Sequence, residues 1–481
     1  MSKEIELKLD LAGDQSALIR SDPLLATAEG RAALQTSIYY DTPKKLLAKN
    51  GFSLRVRSDG SGFVQTLKRT AASDGLFTRD EWEWDVPTDE LQPGKLAEVP
   101  VELPVAAEKL GRKLRPVLRS QVERTTWRVR QGSSELQVDW DVGRLSADER
   151  SLDFSEIEFE LLGGETADVV AAARTLAERV PTRLGVLSKA ERGAALADGA
   201  LDRAAKAAPV SIIPAMSIAE AFASVAHACL KHYRLNEELV VRSRAPDALH
   251  QSRVALRRLR AAFSFFRPAI ADEQYPRLRE ELRWFTAQLG DARNLDVYLQ
   301  REIGDEERQT TARRREEAYD LVVGAMERAR LRLLLIDLSA WTAIGPWRTG
   351  EAATRPIRGF ARKRLNKLWG TIAPFRGMLA QLDEESRHRL RIQVKKLRYA
   401  TEFFNDLFER PKRKKRFVAA VEELQESLGK LNDLATARML APTISAGEMP
   451  QAGEEAEHLA ASETFLDQLC EAGPFWQSVK A

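Results

Sequence analysis

The chain has 481 residues, 44% of them apolar and 30% charged, a composition typical of a globular protein with more than one domain. Lys and Arg number 74 against 71 Asp and Glu, so the net charge of +3 gives no reason to expect a nucleic-acid partner. The two cysteines fit no metal-site or redox spacing, and no apolar run reaches the ~18 residues of a membrane helix. Since the N-terminus shows no signal-peptide pattern, the sequence predicts a cytoplasmic protein without a membrane partner.

The first motif lies close to the N-terminus, where charged and apolar residues alternate over Glu4-Ile5-Glu6-Leu7-Lys8. Period two indicates a β-strand with Glu4, Glu6 and Lys8 on one face. Two carboxylates beside an ammonium can hold a divalent cation while the ammonium meets a phosphate oxygen. Taken alone, however, the pentapeptide is more simply explained as a half-buried strand with a solvated charged face.

Seven further strand-like segments follow, separated by Gly, Asp, Asn and Pro. They are predicted at Thr36–Asp41, Phe52–Ser58, Phe63–Thr70, Phe77–Val86, Val122–Arg130, Glu135–Asp141 and Phe154–Leu162. Their short connections favour antiparallel pairing, and eight strands are enough to close a small barrel. A helix predicted at Ala167–Arg179 can cover the outer surface of such a barrel.

Along each strand, charged and apolar side chains alternate, so that one face of the strand is charged and the other is apolar. Either face can be the one exposed to solvent. The set of alternate positions that carries the charged side chains is called the charged parity below. The charged parity contains Arg55, Arg57, Lys68, Glu81, Glu83, Arg124, Asp139, Asp141, Glu156, Glu158 and Glu160. An interior of charges is stable only if acids and bases offset one another or a charged ligand and a metal complete the network. Carboxylates on some strands and cations on others suit a metal–triphosphate complex.

The ordered set of motifs resembles the CYTH family, the triphosphate tunnel enzymes. Besides Glu4-x-Glu6-x-Lys8, the motifs include Tyr39-Tyr40-Asp41-Thr42-Pro43, Leu54-Arg55-Val56-Arg57, Thr66-Leu67-Lys68, Arg79-x-Glu81-x-Glu83, Glu123-Arg124-Thr125-Thr126-Trp127, Asp141-Val142-Gly143, Glu156-Ile157-Glu158-Phe159-Glu160 and Ser188-Lys189. They occur in the family's order over roughly residues 1–195. The resemblance implies an eight-stranded antiparallel tunnel that hydrolyses or cyclises triphosphates with Mg²⁺ or Mn²⁺.

The resemblance also implies a role for individual residues. The expected metal ligands are Glu4, Glu6, Asp141, Glu156 and Glu158, and the expected phosphate-binding residues are Lys8, Arg55, Arg57, Lys68, Arg124 and Lys189. Of these, Glu4, Glu6, Lys8 and Lys68 are the predicted catalytic residues. Asp139 and Glu160 share the parity, and Glu81 and Glu83 either bind metal or orient neighbouring cations. Which group orients the attacking water stays open, with Lys68 and Tyr40 as candidates.

The second half of the chain changes character after an Ala-rich and then Pro-containing stretch at Ala194–Ser217, which indicates a domain boundary. The predicted domains are residues 1–200 and 217–481, with residues 201–216 as a linker. Helical periodicity continues from there, and the segment His250–Arg260 returns 138 residues later as His388–Arg398. Such a repeat predicts two similar bundles of about four helices each.

The basic residues of each repeated segment share one helix face. The stripes are His250, Arg253, Arg257 and Arg260 in the first copy and His388, Arg391, Lys395 and Arg398 in the second. A face that only maintained solubility would mix charges of both signs, so a repeated stripe of one sign favours an anion site. Over about residues 215–475 the pattern resembles the CHAD domain, a helical module with pseudo-twofold repeats, and the resemblance implies binding of inorganic polyphosphate.

The sequence thus predicts an α+β chain: an N-terminal eight-stranded antiparallel β-barrel tunnel with covering helices, then an all-α domain of two repeated helical bundles. The expected activity is metal-dependent cleavage of inorganic triphosphate to pyrophosphate and phosphate, with Mg²⁺ or Mn²⁺ as cofactor and polyphosphate as a second partner. The alternatives are thiamine-triphosphate hydrolysis, adenylate cyclisation, or a polyphosphate-binding, granule-associated protein with a vestigial tunnel.

Overall fold

A computed structural model gives the fold of residues 2–69, 78–300, 302–440 and 452–477. Within these residues, a nine-stranded antiparallel sheet forms the N-terminal part and helices form the rest. The strands are β1 (Ser2–Leu11), β2 (Arg31–Asp41), β3 (Phe52–Ser58), β4 (Phe63–Arg69), β5 (Thr78–Val86), β6 (Arg115–Gln131), β7 (Ser134–Ala147), β8 (Arg150–Gly163) and β9 (Thr182–Leu184).

The strand order is β5-β4-β3-β2-β6-β7-β8-β1-β9, and β1 also pairs with β5. The first half of β1 lies opposite β5, with Glu4 facing Arg79, and its second half lies opposite β8, with Lys8 facing Glu158. Each of the eight predicted segments overlaps an observed strand. The sequence analysis missed β9, because three residues are too few to show an alternating pattern.

The alternation along the strands places most of their apolar residues on the outside of the sheet. Leu7 and Leu9 of β1 join Ile157 and Phe159 of β8 in one buried cluster, which helix α4 covers with Leu176. A second cluster lies outside β3, β4 and β5. A third cluster, which includes Tyr39, lies on the face that carries the charged residues, where Leu196 joins it.

Helices surround the sheet and make up the C-terminal half. They are α1 (Ser16–Arg20), α2 (Leu46–Lys49), α3 (Ala107–Gly111), α4 (Thr166–Arg179), α5 (Lys189–Ala197), α6 (Ile218–Ser243), α7 (Pro246–Ile270), α8 (Tyr275–Gln288), α9 (Gly290–Tyr298), α10 (Asp305–Glu327), α11 (Ala329–Ile344), α12 (Glu351–Thr354), α13 (Ile357–Trp369), α14 (Glu384–Phe403), α15 (Pro411–Leu440) and α16 (Ala452–Ala472). The two basic stripes lie on α7 and α14. No helix in the described ranges combines the length and the apolar character that a membrane span requires.

The chain divides into two compact units. The first comprises Met1–Ala208, Ala226–Arg257 and Glu273–Pro346, and the second comprises Pro209–Val225, Arg258–Asp272 and Trp347–Ala481. In the first, α4 packs on the sheet through apolar side chains and also pairs with α11, where Arg174 lies 3.1 Å from Asp337. Aromatic packing dominates the second, where the ring centroid of Phe222 lies 5.4 Å from that of Phe266.

Candidate active site

A polar cavity of about 1030 Å³, its open mouth included, lies on the charged face of the sheet. Each of the strands β1–β8 contributes side chains, and α5 closes one side. The charged residues of the lining are Glu6, Lys8, Arg55, Arg57, Lys68, Glu81, Glu83, Arg124, Asp139, Glu158, Glu160 and Lys189. Acids and bases are equal in number in this set, which is how a buried charged interior avoids a large desolvation penalty.

The cavity brings together most of the residues that the sequence singled out. Predicted site residues in the lining are Glu6, Lys8, Arg55, Arg57, Lys68, Arg124, Glu158 and Lys189, and the less certain Asp139, Glu160, Glu81 and Glu83 line it as well. Asp141 and Glu156 are fully buried next to the lining. Glu4 lies in β1, but its side chain is outside the described part of the structure.

Three carboxylates from β7 and β8 form a compact cluster beside the cavity. Asp141, Glu156 and Glu158 each offer one oxygen, and these oxygens lie within 4.8 Å of one another. The register explains the cluster, because Asp141 of β7 lies directly opposite Glu156 of β8. Carboxylate oxygens are the ligands that hard divalent cations prefer, so the donor set fits Mg²⁺ or Mn²⁺.

The ammonium of Lys189 lies among the same three carboxylates. Its Nζ is 2.7 Å from Asp141 and 3.3 Å from Glu158, and it also contacts Glu156. Burial alone would lower the pKa of Lys189, but Asp141, Glu156 and Glu158 raise it well above the ordinary value. A lysine cation therefore already compensates the cluster, and a metal ion at this point has to share its ligands with Lys189.

A helix cap fixes the position of Lys189. The hydroxyl of Ser188 accepts a hydrogen bond from the backbone N–H of Glu191, and the Glu191 carboxylate accepts one from the backbone N–H of Ser188. This capping box starts α5 at Lys189 and satisfies N–H groups that the first helical turn leaves unpaired. The first side chain of α5 is thereby directed to the carboxylate cluster.

Lys8 and Arg124 complete the network around the carboxylates. Lys8 Nζ lies 2.5 Å from Glu158, and Arg124 donates hydrogen bonds to Asp141 at 2.7 Å and to Glu158 at 2.9 Å. Burial alone would raise the pKa of Glu156, but Lys189, Lys8 and Arg192 lower it to about 2. Glu156 consequently stays ionised at any pH near neutrality.

The opposite wall of the cavity also carries cations. Lys68 lies 3.2 Å from Glu81, and Arg57 lies 3.9 Å from Glu83. The neighbouring Arg55, followed by burial, lowers the pKa of Arg57. Two neighbouring guanidinium groups that repel each other in this way favour binding of an anion such as phosphate.

The sequence analysis missed several residues of the site. Arg192 of α5 lies 2.6 Å from Asp10 and 3.1 Å from Glu156, and it thereby extends the network beyond the lining. Asp10 continues the alternation of β1 and could have been found by extending the motif by two residues. Arg192 lies on a helix and carried no such signal. Tyr40, a candidate for orienting water, packs against an outer apolar cluster, whereas Tyr39 lines the cavity.

The first basic stripe, on α7, is joined by an arginine of α9. Burial and the neighbouring Arg257 and Arg293 lower the pKa of Arg253 to about 10, and burial, Arg293 and Arg257 also lower that of His250. Among the described residues, none of these three arginines has a carboxylate within ion-pair distance. Within the described ranges, this mutual repulsion indicates an excess of positive charge around Arg253.

The second basic stripe, on α14, is organised by polar and aromatic contacts. His388 Nδ1 lies 2.7 Å from the side-chain oxygen of Asn432 on α15, and the guanidinium of Arg398 lies 4.6 Å from the ring centroid of Tyr399. Arg391 and Lys395 are partly exposed on the same helix. The predicted polyphosphate-binding residues thus lie on helices, as expected, and their role stays a prediction.

Comparison with known proteins confirms the resemblances on which the sequence analysis relied. Residues 2–194 match the family model of the CYTH domain, and residues 224–442 match that of the CHAD domain. An inorganic triphosphatase from Haemophilus influenzae is 32% identical over 203 residues, which cover 40% of this chain and 54% of that protein. The chain therefore spans only about half the length of this relative.

Two solved structures illustrate the similarity of each part. The CHAD domain from the plant Ricinus communis shares 27% identity at a TM-score of 0.45, over 57% of this chain and 93% of its own. A putative adenylyl cyclase from Hippeastrum, described as having a dominant triphosphatase activity, shares 21% identity at a TM-score of 0.30, over 41% of this chain and 96% of its own.

Proposed function

Because the chain carries a CYTH domain followed by a CHAD domain, we propose that it is a metal-dependent phosphohydrolase that cleaves inorganic triphosphate to pyrophosphate and phosphate. The observation that carries the proposal is the cavity, where cations from several strands surround space beside a buried carboxylate cluster. Such an arrangement suits a metal–polyanion substrate. The 32% identity to an inorganic triphosphatase supports the same substrate class.

We infer that β1–β8 form a tunnel. The pairing of β1 with both β8 and β5 supports this inference, because it joins strands from opposite ends of the sheet order. All eight strands contribute to the lining, as the walls of a tunnel would. In an eight-stranded barrel the interior is just wide enough for side chains and one small ligand, so basic groups from different walls can contact a single short chain of phosphates.

In this proposal the metal is held by Glu4, Glu6, Asp141, Glu156 and Glu158. Bound Mg²⁺ or Mn²⁺ would offset the negative charge that develops on the phosphates of the substrate. Glu6 and Glu158 line the cavity itself, whereas Asp141 and Glu156 are buried behind it and paired with cations. The two cavity-facing carboxylates are therefore the ones best placed to share an ion with a substrate.

The basic residues would bind and orient the phosphates. Lys8, Arg124 and Lys189 are held rigidly by carboxylates, which fixes their remaining donors in direction. Arg55, Arg57 and Lys68 line the other wall, where repulsion from Arg55 lowers the pKa of Arg57. Between these walls the terminal phosphorus would be exposed to an attacking water.

We further propose that residues 217–481 bind inorganic polyphosphate through the two basic stripes, with residues 1–200 as the hydrolase and 201–216 as the linker. Within the described residues, Arg253, Arg257 and Arg293 have no carboxylate within ion-pair distance, which supports an anion site on α7. A cytoplasmic location is part of the same proposal.

The decisive experiment is a phosphate-release assay with the full-length protein on inorganic triphosphate, thiamine triphosphate, ATP and long-chain polyphosphate. Each substrate is tested with Mg²⁺, with Mn²⁺ and with a chelator. We expect inorganic triphosphate to be cleaved fastest and only with metal. Faster turnover of another triphosphate would reassign the substrate, and no turnover of any of them by folded protein would favour a binding protein with a vestigial tunnel.

A further inference from the structure

The 138-residue repeat relates α7 to α14, and one ion pair of the second unit breaks the symmetry between the two copies. Arg258 of α7 is 1% exposed, and its Nη2 lies 2.6 Å from Glu402 of α14. By the repeat, Arg258 corresponds to Lys396 and Glu402 corresponds to Ser264. Lys396 and Ser264 line the same cavity. The carboxylate that neutralises the first cation thus has no counterpart at the second.

A second difference between the two copies of the repeat adds positive charge beside Lys396. Arg364 of α13 lines the cavity beside Lys396, whereas the corresponding position of the first copy is occupied by Ala226. Arg364 is held in position by hydrogen bonds to the main-chain oxygens of Phe265 at 2.9 Å and Ser264 at 3.1 Å. The equivalent places in the two copies therefore differ by one carboxylate and one cation.

The cavity at Lys396 measures about 280 Å³ with its mouth included. Its charged lining consists of Lys396 and Arg364, and its walls are otherwise formed by Ser264, the rings of Phe265 and Phe403 and small apolar side chains. Among the described residues, Lys396 makes no hydrogen bond or ion pair. Burial and then the neighbouring Arg364 lower the pKa of Lys396, as expected of an ammonium that lacks a counter-charge.

We propose that this cavity binds a small oxyanion, either a phosphate or a short carboxylate, between Lys396 and Arg364. The anion takes the place that the carboxylate of Glu402 has beside Arg258. The apolar walls suit the short stem of a carboxylate such as propionate, and the two cations suit a phosphate equally. None of the described stripe residues lines this cavity, so the site is distinct from the polyphosphate-binding surface proposed above.

The test follows the reactivity of Lys396 in the full-length protein. An amine-selective acylating reagent is applied in chloride, inorganic phosphate or propionate at equal ionic strength, and acylation of Lys396 is quantified by peptide mass spectrometry. We expect phosphate or propionate, but not chloride, to slow the acylation of Lys396 severalfold, because a bound anion covers the amine and favours its protonated form. The salt that protects at the lower concentration identifies the class of ligand.

Two outcomes would overturn the proposal. Equal acylation in all three salts would show that no small anion binds at Lys396. Protection by long-chain polyphosphate alone would also exclude a small-anion site and would assign Lys396 to the polyphosphate surface. Neither outcome depends on triphosphate cleavage.

Matched variants test the role of the missing carboxylate. Ser264→Glu restores the group that Glu402 supplies in the other copy, so it should slow acylation of Lys396 without added anion and remove the response to salt. Ser264→Gln has the same length without the charge and should leave acylation fast. Equal slowing by both substitutions would contradict the proposal, because charge would then play no part.

A second pair of variants changes Lys396 itself and leaves Ser264 as it is. Lys396→Arg keeps the cation and matches Arg258, whereas Lys396→Gln removes it. Phosphate should raise the melting temperature of the Arg variant more than that of the Gln variant. An equal rise in both would mean that position 396 takes no part in binding phosphate.

Discussion

Lys189 places its ammonium 2.7 Å from the carboxylate of Asp141, at a point where the two side chains are only 10% and 0% exposed. An ion pair this deeply buried is stable only if further partners satisfy the remaining charge. Glu156 and Arg124 supply those partners, since Glu156 contacts Lys189 and Arg124 lies 2.7 Å from Asp141. The fold around the cavity therefore depends on a network of buried ion pairs.

The first prediction concerns the pH dependence of stability. The folded-state pKa of Glu156 is about 2, below the ordinary 4.5, so its contribution is fully present above about pH 5 and is lost as the pH falls toward 2. The shift corresponds to roughly 3 kcal/mol. Glu156→Gln should therefore lower the free energy of unfolding by about this amount at pH 7 and by progressively less at lower pH. Urea unfolding of both proteins at several pH values measures the difference.

The exposed Glu149 provides the control for this experiment, because it has no ion pair among the described residues. Glu149→Gln should change the free energy of unfolding little at any pH. A difference between wild type and Glu156→Gln that stays constant from pH 7 to acid would contradict the assignment of the low pKa to Glu156.

The second prediction concerns Glu6, which is 6% exposed and lines the cavity. Glu6→Gln removes one ligand charge at little steric cost, so triphosphate cleavage should fall by about tenfold or more and a higher metal concentration should be needed. Steady-state phosphate release as a function of Mg²⁺ and Mn²⁺ concentration measures both effects. The resemblance predicts the same result for Glu4→Gln.

Glu123 is the matched control for Glu6, since it lies on β6 with its side chain exposed. Glu123→Gln should leave both the rate and the metal dependence unchanged. If Glu6→Gln behaves like Glu123→Gln, Glu6 has no part in holding the metal.

The alternation of the strands predicted which side chains face the cavity, because period two determines the face of every residue once one face is assigned. Glu6, Arg55 and Lys68, which the pattern assigns to the charged side, all line the cavity. The same pattern could not reveal that Lys189 lies among the carboxylates, since that depends on where α5 begins. Arg192 was missed for the same reason: its position is set by the packing of a helix against the sheet.

The third prediction concerns Arg55 and Arg57, which line the same wall of the cavity. Alanine at either position should raise KM for triphosphate, because a group that contacts the substrate phosphates is lost. Lysine should restore binding only in part, since an ammonium lacks the planar pair of donors that matches two phosphate oxygens. Steady-state kinetics of the four variants measure the effect.

The exposed Arg112 can serve as the control for these variants, as it pairs with Glu108 on the surface. Arg112→Ala should leave KM unchanged. Lysine variants at positions 55 and 57 with wild-type KM would show that the planar guanidinium is not required.

The repeat in the second half is visible in the sequence. The positions at which its two copies differ can be interpreted only with the structure. The exchange of Glu402 for Ser264 looks like ordinary divergence when the copies are aligned. It becomes informative because Arg258 contacts Glu402 and Lys396 lines a cavity with Ser264. Which residues of two helices meet depends on how the helices cross, and a single sequence does not determine that crossing.

The last prediction concerns the two basic stripes. The double variants Arg253→Ala/Arg257→Ala and Arg391→Ala/Lys395→Ala should each weaken binding of long-chain polyphosphate by the full-length protein. Binding of a polyanion releases counterions, so the affinity should fall steeply as salt rises. Each double variant should flatten that salt dependence, by roughly one unit of slope for every phosphate-contacting cation that is lost. Calorimetric titrations at several salt concentrations measure affinity and slope together.

Arg313→Ala/Arg314→Ala on α10 provides a control of equal charge change, because both side chains are exposed and belong to neither stripe. A general loss of positive charge would weaken binding equally in all three double variants. Specific binding by the stripes would leave the α10 variant close to wild type in affinity and slope. Removing a cation that contacts a phosphate must reduce the number of counterions released on binding. If neither stripe variant differs from the α10 control in affinity or slope, the stripes are therefore solvated surfaces.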